Sequence, residues 1–410
     1  SYTSNLIHAR SIWAGTYKLV GHANMVIENV RAIFMSEARK KQILGEAYFL
    51  RAWAYFNAVR IWGDVPLITT PVGTGSDNFY AQRTSQDIVY DQIVSDLQFA
   101  ETAGLPSTDA SGRVSLAAVK SLLAKVYLTM AGHPLNITAH YADAATKALE
   151  VMNLSPSIGL FDTYSEISLE SNENTIEHIF SVQYAPNVSA NYESLSFLPA
   201  RNITKGGATG WQTNLPETNF YNSFESGDLR KVNRQGWFYT DYFLNGNGAL
   251  TDLGGPHIFK AFNVANFGSD TVEGNGQGDF LNFSVIRFAE VLLIYAEASN
   301  EVSGPSAAAI NAVKRVRDRA GLTTPSSLSK DAFRELIWKE RCHELCYERK
   351  AWFDMVRLRK AFNSVTGSFD NFVGHTLLSS NPTLQEKHFF FPIPALELHT
   401  HPHLTQNTGY

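Results

Sequence analysis

Disulfide staples are the first thing this sequence rules out. Its 410 residues hold only two cysteines, Cys342 and Cys346. They stand at i, i+4 in a helical pattern, where a disulfide has poor geometry. With His343 as the only nearby companion, a metal clip lacks ligands, so buried free thiols are expected. No apolar run reaches the ~18 residues that a bilayer-spanning helix needs. The net charge of -5 is slight for this length and provides no basic face for nucleic acid. There is no Gly-X-Ser-X-Gly elbow, no phosphate-binding P-loop and no His-Glu-X-X-His motif. The chain begins at Ser1 without a signal peptide or an initiator Met and is read as trimmed.

Helical periodicity is plentiful. Ile12, Leu19, Val26, Val30 and Ile33 recur at three-to-four spacing and predict a helix over 9–35. A second helix is expected over 37–62, stopped by Gly63 and Pro66. Its stripe Ala47, Leu50, Ala54 and Ala58 is small enough to let a neighbouring helix approach closely. Further helices are expected over 85–100, capped by Thr84 or Ser85, then 114–131, capped by Ser115, and 141–152. After a break they return at 285–301, 305–320, 329–348 and 350–361. Arg315, Arg317 and Arg319 precede the helix stop at Gly321, as the helix dipole prefers.

Between about 155 and 280 the character changes. Gly, Asn, Ser, Thr and aromatics dominate, glycines interrupt every long pattern, and only short stretches such as Ile179 to Gln183 suggest strands. The fold class expected is mainly α: a helical-hairpin, tetratricopeptide-like repeat scaffold with a loop-rich insertion carrying a few short strands. The expected organisation is a single body. It comprises N-terminal hairpins over 9–153, the irregular ligand-binding region over 154–284, C-terminal hairpins over 285–361 and a packed C-terminal coil over 362–410.

Four blocks carry a more specific signal. The first runs Gly45-Glu46-Ala47-Tyr48-Phe49-Leu50-Arg51-Ala52, then through Tyr55-Phe56 to Gly63-Asp64-Val65-Pro66-Leu67. The second is Gly112-Arg113-Val114-Ser115 leading into Leu122 to Leu128. The third is Ile286 to Ala298, with Ile310 to Val313 and Arg317 to Leu322. The fourth runs from Ile337 to Arg341 through Trp352 to Arg357 and Phe391-Pro392-Ile393-Pro394 to Tyr410. In this order, and over nearly the whole chain, they resemble the SusD/RagB family. The ending Asn407-Thr408-Gly409-Tyr410 departs from the usual Asn-Pro-Gly-Tyr, and the stretch His399-Thr400-His401-Pro402-His403 is unusually rich in His.

The resemblance implies an outer-membrane lipoprotein facing outward, anchored through a lipidated Cys that lies outside this chain. It would cap a SusC-like TonB-dependent transporter and capture oligosaccharide or polysaccharide for it. A peptide-binding or other nutrient-binding member, a helical-repeat interaction scaffold and an all-α glycosidase are the alternatives. No enzyme activity and no cofactor are expected. The charged motif residues Arg51, Glu290, Glu297 and Arg341 are expected in buried networks rather than catalytic sets.

Candidate ligand contacts are aromatics in loop-rich stretches, because a flat ring covers the apolar C–H face of a sugar while amides and charged groups meet its hydroxyls. Trp211, Trp237, Tyr239 and Tyr242 fit, with Gln212, Asn214, Asn233, Arg234, Asp241 and Asn245 nearby. Asn78, Phe79 and Tyr80 form a second candidate, and Tyr2 a third. The run Gly274 to Asp279, with Asp270 and Glu273, could supply calcium ligands but lacks the EF-hand order. A turn is the expected reading there. His399, His401 and His403 are read as a solvated tail rather than a metal site.

Overall fold

The computed structural model describes residues 3–5, 7–73, 77–200, 209–243, 249–268, 279–377 and 383–410. Helices α1 (Ile7–Asn29), α2 (Glu37–Trp62), α3 (Gln86–Glu101), α4 (Leu116–Ala131) and α5 (His140–Met152) follow one another, each packed on the next. Local chemistry sets their ends. Ser36 accepts a hydrogen bond from Arg39 N, Glu37 lies in the first turn of α2, and Gly63, with φ of 75°, closes it. Ser115 caps α4 by accepting from Ala118 N. Close approach follows from small side chains: a Cβ on Gly45 would stand 2.4 Å from the Ala103 Cβ. Ala52 and Ala58 are fully buried. Helix α1 stops six residues short of the expected 35, and the following Ile33 and Phe34 are exposed. A short ribbon of β1 (Val65–Pro66) and β2 (Arg83–Thr84) lies beyond α2.

The middle region holds β3 (His178–Val182), α6 (Glu193–Phe197), α7 (Thr218–Asn222), β4 (Phe238–Phe243), β5 (Leu250–Ile258), α8 (Val264–Phe267) and β6 (Phe283–Arg287). Strands β3 and β6 pair antiparallel, as do β4 and β5. A two-stranded ribbon is marginal alone, so each is held by packing. Phe180 of β3 meets Phe49 of α2 edge to face at 4.9 Å and joins the main helical core.

Helix α9 (Phe288–Ser303) returns the chain to the helical body and packs on α5, α10 (Ala307–Arg319) and α11 (Lys330–Glu344). α11 stops before the expected 348 because the chain turns sharply there: Tyr347 and Arg349 have φ of 62° and 57°. α12 (Ala351–Leu358) ends at Arg359, also left-handed, and continues into the antiparallel pair β7 (Lys360–Asn363) and β8 (Ser368–Asn371). The C-terminal stretch read as coil contains α13 (Ala395–Thr400). The fold is mainly α, as expected from the periodicity.

Charge inside the body is extensive and paired. Arg51 makes a two-pronged bond to Asp96, at 2.7 and 2.6 Å. Glu297 holds Arg357 at 2.5 and 2.8 Å. Glu290 lies 2.8 Å from Lys125 and 3.0 Å from Lys350, and Arg341 bonds Asp354. A second network ties the middle region to the C-terminal helices. In it Arg287 meets Glu177, Glu344 and Glu348, Arg319 meets Glu177 and Glu344, and Arg230 meets Asp228 and Glu340. Arg317 and Arg319 lie in the last turn of α10, as the helix dipole prefers, and are also buried in ion pairs with Glu225, Glu340, Glu177 and Glu344. Both free cysteines are raised by burial to about 12 and lie ready for neither metal nor disulfide chemistry.

Candidate ligand-binding site

Three of the expected platform rings are interior. Trp237 and Tyr239 are 0% exposed and Tyr242 is 2% exposed. The physical reason is that β4 is covered on both faces. Trp237 and Phe238 join Tyr164 and Phe224 in one small core, while Tyr239 and Tyr242 join Phe259 and Phe262 in another. The Lys260 ammonium lies 3.9 Å from the centre of the Trp237 ring, and the Tyr242 hydroxyl donates to the Gly268 carbonyl. These rings hold the insertion together and present no face to a ligand. Their polar neighbours have the same role: Asn233 Nδ2 donates to Asp241, and Asn233 Oδ1 accepts from Thr240 N.

Elsewhere the rings are open. Phe79 and Tyr80, in a 3-10 turn with Asn78, are about half exposed and meet edge to face at 4.9 Å; Tyr80 also abuts His401 at 5.3 Å. Tyr2, Asn245, Asp270, Glu273 and the glycines of 274–278 lie outside the described residues. Asp279, the last of the candidate calcium ligands, points inward and accepts from Asn263, Asn266 and Leu281 N. Among the described residues, no group of three or more His, Cys, Asp or Glu is placed to hold a metal ion.

Trp211 is 56% exposed, and beside it stands Tyr192, 61% exposed and not singled out by the sequence. Their ring planes differ by only 11°, with centroids 6.5 Å apart. That spacing is at the wide end of the range for paired rings, and both rings stay more than half exposed. The backbone fixes both. Residues 210–214 lie back along α6, with Gly210 N donating to Pro199 O, Trp211 N to Leu195 O, Gln212 N to Leu198 O and Asn214 N to Ser196 O. On the other side, Asn191 Nδ2 donates to Leu281 O and Asn191 Oδ1 accepts from Glu193 N, which anchors the start of α6 next to Tyr192. Asn214 Nδ2 donates to Ser196 Oγ, and Gln212 Oε1 accepts from Ala200 N. Beyond Tyr192, Glu193 accepts from Arg349 Nε and Nη2 at 3.1 and 2.7 Å. The surface therefore offers two parallel aromatic planes flanked by amides and one charged pair, the combination that suits apolar faces bordered by hydroxyls.

Three of the interior carboxylates are held in the form unsuited to a general acid. A general acid acting on a sugar needs a raised pKa. Although burial works against it, Lys125, Lys350 and Arg341 hold Glu290 down at about 2. Against the same burial, Arg341 and Arg357 hold Asp354 at about 2. Arg287, Lys260 and Lys350 likewise keep Glu348 well below the usual range. These groups are permanent anions paired with cations.

Known proteins resemble this chain over its whole length. The SusD family matches residues 238–410, and a related family described as starch-binding associating with outer membrane matches residues 1–128. A SusD-like protein, P2, of Formosa agariphila is 30% identical over 98% of this chain and 80% of its own length. The crystal structure of a SusD superfamily protein from Parabacteroides distasonis superposes with a TM-score of 0.93 at 35% identity, covering 100% of this chain and 87% of that one. A more distant structure, solved with a xylogluco-oligosaccharide, shares the fold at a TM-score of 0.75 and 24% identity, over 98% of this chain and 88% of its own. Among the described residues, no helix is long and apolar enough to cross a membrane. From its first helix to its closing Gly409-Tyr410, this chain belongs to the SusD family.

Proposed function

We propose that the chain is a cell-surface glycan-binding lipoprotein, tethered to the outer membrane by a lipid ahead of Ser1. In this reading it captures oligosaccharide or polysaccharide and delivers it to a SusC-like TonB-dependent transporter. The observation that carries the reading is the parallel, exposed ring pair of Tyr192 and Trp211 on a rigid helical body. Two comparisons support it: the starch-binding description of the family matching residues 1–128, and the oligosaccharide bound to a protein of the same fold. Binding without turnover is the expected chemistry of a chain related to a family described as starch-binding.

The test is a glycan-array screen of the isolated protein, followed by calorimetric titration of the best glycan against wild type, Trp211→Ala and Tyr192→Ala. Loss of either ring should weaken binding by about tenfold or more, ~1.4 kcal/mol. The glycan should be recovered at its original length after incubation. An array without a hit, or full affinity in both variants, overturns the reading.

A further inference from the structure

Beside Asn191 and Glu193, the chain neighbours of Tyr192, lies a half-enclosed cavity of about 60 Å³. A single water needs roughly 10–15 Å³ by that measure, so a few waters fit. The space is far below the ~300–1,000 Å³ of a pocket that engulfs a whole ligand. It suits one substituent of a larger molecule held outside.

The wall decides which substituent. Its charged groups are Lys260, Arg287, Glu193 and Glu348, and each is already committed. Lys260 Nζ reaches Glu344 O, Cys346 O and Glu348 at 2.7, 3.0 and 2.5 Å. Arg287 bonds Glu177, Glu344 and Glu348. Glu348 also accepts from Lys350, and Glu193 from Arg349. A charged guest would lose its water and find no unpaired counter-charge. The imidazole of His178 is likewise occupied, by Ser284 Oγ at Nδ1 and the Ile167 carbonyl at Nε2. Most of the remaining exposed wall is apolar, from Phe197, Leu281 and Phe283, but Asn191, Asn282 and Tyr347 also line it, the last with a buried hydroxyl that has no hydrogen-bond partner among the described residues. The guest is therefore neutral, with an apolar tip.

One polar group stands at the edge. Glu193 and Phe283 both line the cavity, and both hold Arg349: the carboxylate takes its Nε and Nη2, and the guanidinium carbon lies 4.9 Å from the centre of the Phe283 ring. The side chain of Arg349 is nevertheless 67% exposed, and its Nη1 is left clear of Glu193. Its backbone is left-handed, with φ of 57°. That conformation is costly for a residue with a Cβ, and such positions cluster at ligand clamps. Tyr192 stands in the chain between Asn191 and Glu193, which both line the cavity, so the ring pair and this edge are anchored on the same short segment.

Resting on the glycan-binding reading, we propose that this cavity is a subsite for a small neutral acyl group, such as acetyl, carried by the bound glycan. The methyl enters the apolar space, and the carbonyl oxygen accepts from Arg349 Nη1. A deoxy-sugar methyl would fill the space without using the donor. A carboxylate or sulfate would be refused.

The test is saturation-transfer NMR on the full chain with two probes, methyl N-acetylglucosaminide and methyl glucoside. The acetyl methyl should take the strongest saturation of any ligand proton, and methyl glucoside should show several-fold less overall. Ala261→Leu, which projects into the cavity, should abolish the acetyl enhancement. Arg349→Gln, on the surface, should reduce it several-fold and keeps the test decisive if Ala261→Leu fails to fold. Trp211→Ala should weaken both probes alike. An acetyl methyl no more saturated than the ring protons, or an enhancement untouched by both cavity variants, overturns the subsite. If transfer to the sugar rings still depends on Trp211 in that case, the glycan-binding reading survives. A silent NMR experiment together with a flat glycan array ends both.

Discussion

Gly210 lies so close to Leu198 that a Cβ there would stand 2.2 Å from the Leu198 Cβ and 2.3 Å from its carbonyl oxygen. This contact lets the segment carrying Trp211 lie flat along α6. Gly210→Ala must push the segment outward, at about 1–3 kcal/mol for an overpacked site. The Trp211 plane then tilts away from Tyr192. Glycan affinity should fall nearly as far as in Trp211→Ala while the helical circular dichroism spectrum stays unchanged. Titration and circular dichroism on the same sample check this, and unchanged affinity would show that the ring geometry is not set at Gly210.

Trp237 is expected to behave in the opposite way. It sits at 0% exposure against Tyr164, with ring centroids 4.6 Å apart, and under the Lys260 ammonium. Trp237→Ala should cost about 3–5 kcal/mol of stability, seen as a lower denaturant midpoint. Whatever protein remains folded should bind glycan with an affinity close to wild type.

The contrast between these tryptophans shows where sequence reading ends. Helices α2 and α4 are legible because their signals are local: Ser36 and Ser115 cap them, Gly63 stops one, and apolar residues repeat along one face. The burial of Arg51 in α2, of Glu290 and Glu297 in α9 and of Arg341 in α11 follows from their place among apolar repeats. Trp237 follows Asn233, Arg234, Gln235 and Gly236, a composition that reads as open loop. Its burial comes from Tyr164 and Lys260, which are distant in sequence and leave no local trace. Tyr192 fails in the other direction. It is a single ring between Asn191 and Glu193, and only the fold brings it alongside Trp211. The Asn-Tyr-Glu triplet in a Ser-rich stretch was the one available hint.

The buried pair of Arg357 and Glu297 joins α12 to α9. Arg357→Ala leaves the Glu297 carboxylate inside without its closest cation and should cost about 3–5 kcal/mol. Replacing both, as Arg357→Met with Glu297→Leu, removes the uncompensated charge and should recover most of that loss, since Asp354 keeps Arg341. Denaturant titration of Arg357→Met, Glu297→Leu and the double variant measures the coupling directly. A double variant no better than the single would show that the pair also fixes the packing of the two helices.

Acid stability should fall in two stages. Burial lowers His178 to about 4, so between its unfolded value near ~6.5 and pH 4 the unfolded chain binds the extra proton, and stability declines as pH falls. Glu290 and Asp354, held at about 2 in the folded protein, contribute stability that is complete above their unfolded values of ~4. That contribution is lost progressively as the pH drops toward 2. Asp96 and Asp279, raised by burial, work in the opposite sense and offset part of this second stage. Melting temperatures measured from pH 8 to pH 3 should therefore begin to fall near pH 6.5 and steepen below about 4.5. His178→Gln should make the first stage shallower, with His343 supplying the rest, and leave the second. If His178→Gln instead keeps the full decline between pH 6.5 and 4.5, the proton taken up there belongs to another buried histidine, with His343, also held well below its ordinary value by burial, the next to replace.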